Sequence, residues 1–441
     1  MKSIFQLLLI LFISSILISC RQNKNEHIDI KAIGPESTDA INPYFTKDNK
    51  GNIVLCWTSK EVSDSVYRLN YAVYDSTNHI FTAPVIVSTS TNLSTSPESM
   101  GKVAFKGDGT VIAMFGRAHE NSENPFAGGV YYSVSTDNGQ NWSAEQFVHS
   151  DTSKNVGHSF FDITTLKDGE VAAIWLDGRF GKSEKGSALF FSKTQGRNEF
   201  LRDTLLDKNT CECCRTDILA DDMGNIHIAY RNIVYPAGIF GRQVRDMAYI
   251  SSKDNGMTFS KPLPISNDNW EVEGCPHTGP SLAVSNQQVH AVWFTAGGET
   301  GLFHTSSRNA DSKFNQRTLL SSSGRHPQMA ALTNDKIAIV YEDNLMQKSP
   351  KKESHSHSAD TVMKMDHSKM KMDHHKEKAG ETSIVLQLFK NGIKDESIEV
   401  TNGKQADHHA VLTSWNNQLL IAWVHEKNGK SQINYSKLSG I

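Results

Sequence analysis

Residues 169–179 read GEVAAIWLDGR: a turn glycine, an apolar run that ends in Trp175, and a polar turn. The same pattern recurs along the chain, with a turn rich in Gly, Asn or Asp before each apolar run and an aromatic residue at its end. The other copies are GNIVLCWTS (51–59), GTVIAMFGR (109–117), GNIHIAYRN (224–232), QQVHAVWFT (287–295), DKIAIVYED (335–343) and NQLLIAWVH (417–425). Short strands repeated at a fixed period predict an array of similar sheets.

The aromatic residues lie 48 to 63 residues apart, except for a last step of 82 between Tyr341 and Trp423. Three further strand-like segments accompany most copies, so each unit predicts a four-stranded β-propeller blade. We therefore expect an all-β, seven-bladed β-propeller over residues 27–441, with six blades as the alternative. The last unit supplies only three strands, and the segment HIDIKAIG (27–34) is expected to add the fourth and close the last blade.

Two turns carry a second motif. STDNGQNW (135–142) and SKDNGMTF (252–259) fit the pattern S-x-D-x-G-x-x-W/F, and SKTQGRNEF (192–200) is a weaker copy. Asp137 and Asp254 are expected to accept hydrogen bonds from turn N–H groups, which is a structural role. These motifs resemble the Asp-box (BNR) repeats of the sialidase-like β-propeller superfamily. The resemblance implies that a functional site lies on the face opposite the Asp boxes.

The N-terminus predicts secretion. Lys2 precedes an apolar run from Ile4 to Ile18, and residues 1–20 are too short for a stable membrane span. The sequence Leu17-Ile18-Ser19-Cys20 resembles the lipobox of bacterial lipoproteins, which implies lipidation of Cys20. We expect a lipid-anchored protein of the bacterial envelope, on the periplasmic side or the outer-membrane surface. An ordinary cleaved signal peptide is the alternative.

The net charge of −3, with both signs interspersed, provides no basic surface, so nucleic acid is not an expected partner. Cysteine and histidine residues recur where the first strand of each unit begins. Since Cys and His are ligands for copper and zinc, we predict a transition-metal site at the channel. Its candidate ligands are His158, Cys211, Cys213, Cys214, Cys275, His277, His326, His408 and His409. The alternative is a disulfide between Cys275 and Cys213 or Cys214, with histidines that only bond loop backbone.

Residues 347–381 form a polar insertion in the sixth unit, predicted to be disordered. Nine potential ligands lie in it: His355, His357, Met363, Met365, His367, Met370, Met372, His374 and His375. Thioethers favour Cu(I), so copper is the expected ion, with zinc possible. We predict a flexible arm that captures copper and passes it to the channel, for handling or for delivery to a metal-accepting protein. A loop insertion without function is the alternative.

The resemblance also implies an enzyme. Sialidases bind a substrate carboxylate with three arginines, for which Arg117, Arg179 and Arg231 are the candidates, and Asp177, Tyr341 and Glu342 are the candidate catalytic groups. The Arg-Ile-Pro segment of sialidases is missing, and INPYF (41–45) stands near the mature start. Ion pairs between blades are the alternative role for the Arg and Asp residues. An exo-acting sialidase-like hydrolase, or a non-catalytic propeller that binds glycan or protein, is thus the alternative to copper handling.

Overall fold

The computed structural model describes residues 28–441, apart from residues 62, 184, 201, 239–240, 273–276, 310–312, 333–334 and 345–381. This part of the chain contains 29 β-strands and a short 3-10 helix at Gly181–Ser183, without any α-helix. None of its helices is long and apolar enough to span a bilayer. The predicted all-β class is confirmed.

The first strand, β1 (Ile30–Ile33), belongs to the last sheet, and the strands after it form five separate sheets in chain order. The first of these has five strands: β2 (Thr38–Lys47), β3 (Ile53–Glu61), β4 (Arg68–Asp75), β5 (Ile80–Phe81) and β6 (Val85–Ile86). The second has β7 (Lys102–Phe105), β8 (Val111–Ala118), β9 (Gly128–Ser135) and β10 (Gln146–Phe147). The third has β11 (His158–Thr165), β12 (Val171–Asp177), β13 (Ser187–Lys193) and β14 (Thr204–Thr210).

The fourth sheet has β15 (Asp217–Ala220), β16 (Ile226–Arg231), β17 (Met247–Ser252) and β18 (Leu263–Pro264). The fifth has β19 (Ser281–Ser285), β20 (Gln288–Thr295), β21 (Gly301–Ser307) and β22 (Thr318–Ser321). In each of these sheets neighbouring strands are antiparallel, which is the arrangement of a propeller blade.

The last sheet corrects the predicted architecture. It joins β1 to β23 (Gly324–Ala331), β24 (Lys336–Asn344), β25 (Thr382–Lys390), β26 (Ile393–Glu399), β27 (Ala406–Trp415), β28 (Gln418–Lys427) and β29 (Lys430–Leu438) in one eight-stranded sheet. A parallel pairing of Thr382 with Ala406 links its two halves, and Thr382 Oγ1 donates to the Asp407 carbonyl at 2.8 Å. The ring thus has five separate blades and one large sheet, so the seven-bladed prediction and its six-bladed alternative are wrong. The sequence repeat indicates how many hairpins the chain forms, but it does not indicate whether two hairpins belong to the same sheet.

The chain closes the ring with its two ends. β1 pairs antiparallel with β29, Ile30 opposite Ser436, which is the pairing expected for the N-terminal segment. The first blade and the eight-stranded sheet then pack together through a core that contains Trp57 and Val424.

The repeated aromatic residues lie in the cores between sheets. Trp175, Trp293 and Trp423 are each 0% exposed. Their indole N–H groups donate to carboxylates, Trp175 to Asp177 (2.9 Å), Trp293 to Asp268 (2.7 Å) and Trp423 to Asp407 (3.0 Å). A buried indole N–H needs such an acceptor, so each tryptophan also fixes an aspartate near the end of its blade.

The Asp137 and Asp254 turns have the geometry expected for hairpin caps. Asp137 accepts from the N–H of Asn141 at 2.9 Å, and Asp254 accepts from that of Thr258 at 2.8 Å. Hydrogen bonds from Asn141 and from Thr258 lower the pKa of each carboxyl to about 2. Gly139, at φ 86°, packs against Tyr71 and Val85 so closely that a Cβ would overlap both. These turns are therefore scaffold.

Candidate functional site at the channel mouth

The innermost strands surround a cavity of about 320 Å³. Six strands line it, with Tyr44 from β2, Ile163 from β11, Asp217 from β15, Ser281 from β19, Gln328 from β23 and Val411 from β27. The residues that precede these positions on each strand lie toward one end of the cavity. We call that end the channel mouth.

Four of the innermost strands contain a β-bulge at the channel mouth, in the segments 41–44, 159–162, 325–328 and 408–411. The bulged residues have left-handed backbone: Asn42 (φ 58°), Phe160 (φ 49°), His326 (φ 46°) and His409 (φ 50°). His277, just before β19, has φ 48°. This conformation costs a non-glycine residue about 1–2 kcal/mol, and bulges often re-aim side chains beside functional sites. Three of the five positions carry histidine.

The thiols predicted as metal ligands form one cluster. Cys211, Cys213 and Cys214 are all buried, and Cys211 Sγ lies 3.6 Å from Cys213 Sγ and 3.5 Å from Cys214 Sγ. These distances exceed the S–S bond length of about 2.05 Å, so Cys211 is not in a disulfide with either neighbour. Three thiolates around one Zn²⁺ at about 2.3 Å lie about 3.8 Å apart, close to the spacing here. Cys275 lies outside the described residues.

A buried arginine supports this thiol cluster. Arg245 donates to Cys211 Sγ at 3.1 Å and pairs with Glu212 at 3.1 Å. Hydrogen bonds from the Cys213 and Cys214 thiols, together with the Arg245 charge, lower the pKa of Cys211 well below its ordinary value. Burial, and then the neighbouring Cys211, raise the pKa of Cys214. The cluster therefore favours one thiolate that two thiols and a guanidinium stabilise, and thiolates are the form that binds metal.

Two predicted histidines form a second cluster with Glu342. His326 Nδ1 lies 3.1 Å from both carboxylate oxygens of Glu342, and the His326 and His409 rings are 4.7 Å apart. Glu342 also accepts a hydrogen bond from the backbone N–H of His409. The side chain of His326 is 26% exposed and that of Glu342 is 10% exposed, so solvent reaches the cluster.

Electrostatic interactions among Glu342, His326 and His409, together with burial, set which of these three groups is protonated. Burial would raise the pKa of Glu342, but the adjacent His326 and His409 lower it to about 2. Burial would lower the pKa of His326, but the Glu342 carboxylate raises it. For His409 burial dominates and holds the pKa well below its ordinary value. Glu342 is therefore an anion between a histidine that readily takes a proton and one that does not.

Arg215 lies between the two clusters. It follows Cys214 in the chain, its backbone N–H donates to Glu98 at 3.4 Å, and its guanidinium donates to the carbonyl of Pro327 at 3.3 Å, directly after His326. Arg215 and Glu98 are 7% and 4% exposed. The predicted ligands are thus divided into a thiol cluster and a histidine–glutamate cluster with a buried arginine between them.

The other predicted metal ligands lie elsewhere. His158 stacks on His149 (3.7 Å between ring centres) and lies 3.6 Å from Asp177 and 3.7 Å from Asp151. His277 is exposed, and His408 contacts both His409 and Glu426. Cys20 and the nine ligands of the 347–381 insertion fall outside the described residues.

The candidate sialidase groups are engaged in other contacts. Arg117 pairs with Glu145 (2.6 Å), and Arg179 pairs with Asp177 (2.6 Å) and Asp203 (2.7 Å). Arg231 is 1% exposed and donates to the carbonyls of Arg245, Thr278 and Phe294. Tyr341 is a core residue at 3% exposure. The buried Arg231 has no surface for a substrate carboxylate, and the pairs of Arg179 lie within the third blade instead of joining two blades.

Sequence reasoning missed a charged network below the channel mouth. Lys102, 1% exposed, pairs with Asp162 at 2.9 Å, and Asp162 also accepts from the N–H of Ile218. Burial, and then the Asp162 charge, raise the pKa of Asp217 to about 7. Asp162, Asp217 and Arg215 stand in GHSFFD and CECCRTD, at the same strand starts as the predicted ligands. The sequence-based prediction included only Cys and His residues where the innermost strands begin. Considering every polar residue at those positions would have included Asp162, Asp217 and Arg215.

Comparison with known proteins identifies the fold. No family model matches the chain, and no curated protein sequence matches it. Among solved structures, the polysaccharide lyase Uly1 is similar with a TM-score of 0.52 at 11% identity, over 90% of this chain and 89% of that one. A PL25 ulvan lyase bound to -[GlcA(1-4)Rha3S]- has a TM-score of 0.51 at 10% identity, over 90% of this chain and 93% of that one.

Sialidases are also similar structures. The Hadza microbial sialidase Hz136 has a TM-score of 0.46 at 13% identity, over 88% of this chain and 77% of that one. The separate four- and five-stranded antiparallel sheets, together with the likeness to the two polysaccharide lyases, confirm the expected β-propeller at the level of fold.

Proposed function

We propose that this protein is a glycan-binding propeller that recognises an anionic sugar at the channel mouth. Its likeness to two polysaccharide lyases extends over about nine-tenths of both chains. One of those lyases is bound to a polymer that contains GlcA, a sugar with a carboxylate. Since fold alone does not decide function, the side chains of the mouth must carry the proposal.

The observation that carries it is the exposed polar rim around His326. His326 and His408 are 26% and 22% exposed, and His408 pairs with the 41% exposed Glu426. Glu342 raises the pKa of His326, so this ring carries positive charge over a wider pH range than a free histidine. An N–H donor of a protonated imidazole on this rim can form a charge-assisted hydrogen bond with a sugar carboxylate or sulfate.

Binding is tested with purified protein on immobilised polysaccharides that contain or lack uronic acid. We expect retention on the uronate polymers, salt-sensitive and at least ~10-fold weaker for His326→Ala, the loss of about one charge-assisted hydrogen bond. His79→Ala is the matched control, because His79 bonds to Lys437 away from the channel. Lack of binding to every polymer overturns the proposal. Turnover of a fluorogenic sialoside, or release of unsaturated sugars, would make the protein an enzyme instead.

Copper handling is the second candidate, and the thiol cluster favours it. Three buried thiols within 4.8 Å of one another provide soft ligands, which Cu(I) prefers. In this function the lipid-anchored protein holds copper at Cys211, Cys213 and Cys214 in the envelope and passes it to an accepting protein.

The copper proposal is tested by loading with Cu(I) against a competing chelator and counting bound ions. We expect Cys211→Ser with Cys214→Ser to bind one ion fewer than the native chain. Cys56→Ala is the control, since Cys56 is a buried thiol in the core of the first blade. Equal copper content in the native and the doubly substituted protein rejects this function.

A further inference from the structure

We propose that His326, Glu342 and His409 form a metal site of their own, for a divalent ion of intermediate softness such as Zn²⁺. Each residue offers one donor atom, and the three atoms lie within 4.8 Å of one another. His326 and Glu342 lie on the paired strands β23 and β24, and His409 joins them from β27, 67 residues after Glu342. This site is distinct from the thiol cluster; it shares His326 with the proposed glycan-binding rim, and the zinc measurements below do not require glycan binding.

The spacing of the donors suits a shared ion. Zinc binds imidazole nitrogen and carboxylate oxygen at about 2.0–2.2 Å, which places neighbouring donors of a tetrahedral site about 3.3 Å apart. His326 Nδ1 lies 3.1 Å from each oxygen of Glu342. Two histidines and one carboxylate leave a position for water or a ligand, as in catalytic zinc sites.

The β-bulges at His326 and His409 do not themselves require histidine. His326 and His409 both have left-handed φ at β-bulges, and Asn42 and Phe160 occupy the corresponding bulges of other strands. The bulge therefore accepts side chains without metal-binding capacity. Strained residues that persist at convergent positions are a recognised mark of functional sites.

The surroundings provide the orientation and charge that a metal site requires. His408 contacts His409 and lies 3.1 Å from Glu426, so a second layer of polar groups supports the ligands. Arg215 brings positive charge nearby, but Glu98 pairs with it. Because Glu98 offsets the Arg215 charge, the Glu342 carboxylate can still provide an anionic ligand for a cation. Imidazole and carboxylate donors distinguish this site from the thiol cluster, which selects softer ions.

The test uses the full protein, stripped with a chelator and reloaded with Zn²⁺ alone. Zinc per chain and zinc affinity are measured by elemental analysis and by competition with a chromogenic chelator. The variants are Glu342→Gln and the pair His326→Asn with His409→Asn, since asparagine tolerates left-handed φ and Asn42 already occupies such a bulge. Asp343→Asn is the matched control, because Asp343 is the next residue on β24 and bonds Ser323 instead.

We expect the native chain and Asp343→Asn to hold one zinc more than Glu342→Gln and the histidine pair, whose affinity at this site falls at least ~10-fold. Loading with Co²⁺ distinguishes the two sites, because only the thiol cluster gives thiolate-to-cobalt charge-transfer absorption. That absorption should survive in Glu342→Gln and disappear in Cys211→Ser with Cys214→Ser.

Equal zinc content and affinity in all variants overturns the proposal, as does loss of the thiolate absorption in Glu342→Gln, which would mean one shared site. The histidine-rich insertion is present in every variant, so its own metal binding cancels in the comparison. Circular dichroism and thermal unfolding establish that each variant is folded.

Discussion

The guanidinium of Arg215 donates a hydrogen bond to the carbonyl oxygen of Pro327, 112 residues later in the chain (3.3 Å). This contact crosses the channel mouth and joins the segment of the thiol cluster to the bulge that carries His326. Because Arg215 is buried and also pairs with Glu98, it holds three inner segments in place.

Removing Arg215 should destabilise the whole mouth. Arg215→Met leaves Glu98 buried without its cation, and breaking a buried pair costs about 3–5 kcal/mol. We expect a clear fall in the midpoint of urea unfolding. The double variant Arg215→Met with Glu98→Gln should recover part of the loss, since it removes the unpaired charge. A double variant that is no more stable than Arg215→Met would show that the pair is not coupled.

Gly139 should be irreplaceable in its turn, whereas Gly51 should not. Both have left-handed φ, +86° and +80°, but a Cβ at Gly139 would lie 2.4 Å from Val85 Cγ1, and at Gly51 it meets nothing within 4 Å. Gly51→Ala is expected to cost only about 1 kcal/mol of backbone strain. Gly139→Ala adds about 1–3 kcal/mol of overpacking, measured as a lower midpoint of thermal unfolding. Equal losses in both variants would rule out the steric argument.

Asp217 should make stability depend on pH. Its pKa is raised to about 7 in the folded state, against about 3.9 in an unfolded chain, so the folded protein holds this proton more tightly. The resulting stabilisation is fully present below about pH 4 and is lost as the pH rises through 7. Asp217→Asn removes this dependence, so its unfolding free energy relative to the native chain should increase from pH 4.5 to pH 8. Parallel pH curves for the two proteins would contradict it.

Trp293, whose indole N–H is hydrogen-bonded, should be costlier to replace than Trp57. Trp293→Phe removes the indole donor to Asp268, while Arg317 and Ser266 still bond that carboxylate. In the described part of the chain Trp57 has no such acceptor, and it is 3% exposed, so Trp57→Phe is the control. We expect Trp293→Phe to lose about 1 kcal/mol more in denaturant unfolding, the value of one buried hydrogen bond. A smaller loss than in Trp57→Phe would show that the bond is unimportant.

Lipidation of Cys20 is a prediction from the lipobox alone. Cys20→Ser should abolish incorporation of labelled fatty acid and release the protein from the membrane fraction, as measured by fractionation of expressing cells. A native chain that carries no lipid would instead support the cleaved-signal alternative.

The strands could be predicted because apolar segments that end in an aromatic residue recur along the sequence. Each of the seven aromatic-ended segments is a strand, since a large ring between two sheets has few other places to lie. The eight-stranded sheet could not be predicted, because it depends on a single parallel pairing of Thr382 with Ala406, which leaves no residue pattern.

The candidate site was predicted in part. Cys211 and His326 could be predicted because they precede innermost strands, and all innermost strands begin at the same end of the channel. Their positions in the sequence did not divide them into two clusters, since that depends on how Arg215 crosses the mouth and on the bulges that turn His326 and His409. Glu342 was assigned to catalysis by family resemblance, and only its contact with both histidines places it in their cluster.

The pairing of β1 with β29 also decides where the first described strand lies on the ring. β1 is the outermost strand of its sheet, at the opposite end of the strand order from the cavity-lining β23 and separated from the cavity-lining β27 by two strands. Ile30, at the start of β1, therefore lies at the circumference of the ring and not beside the opening. β1 thus closes the ring at its outer edge and leaves the approach to His326 unobstructed.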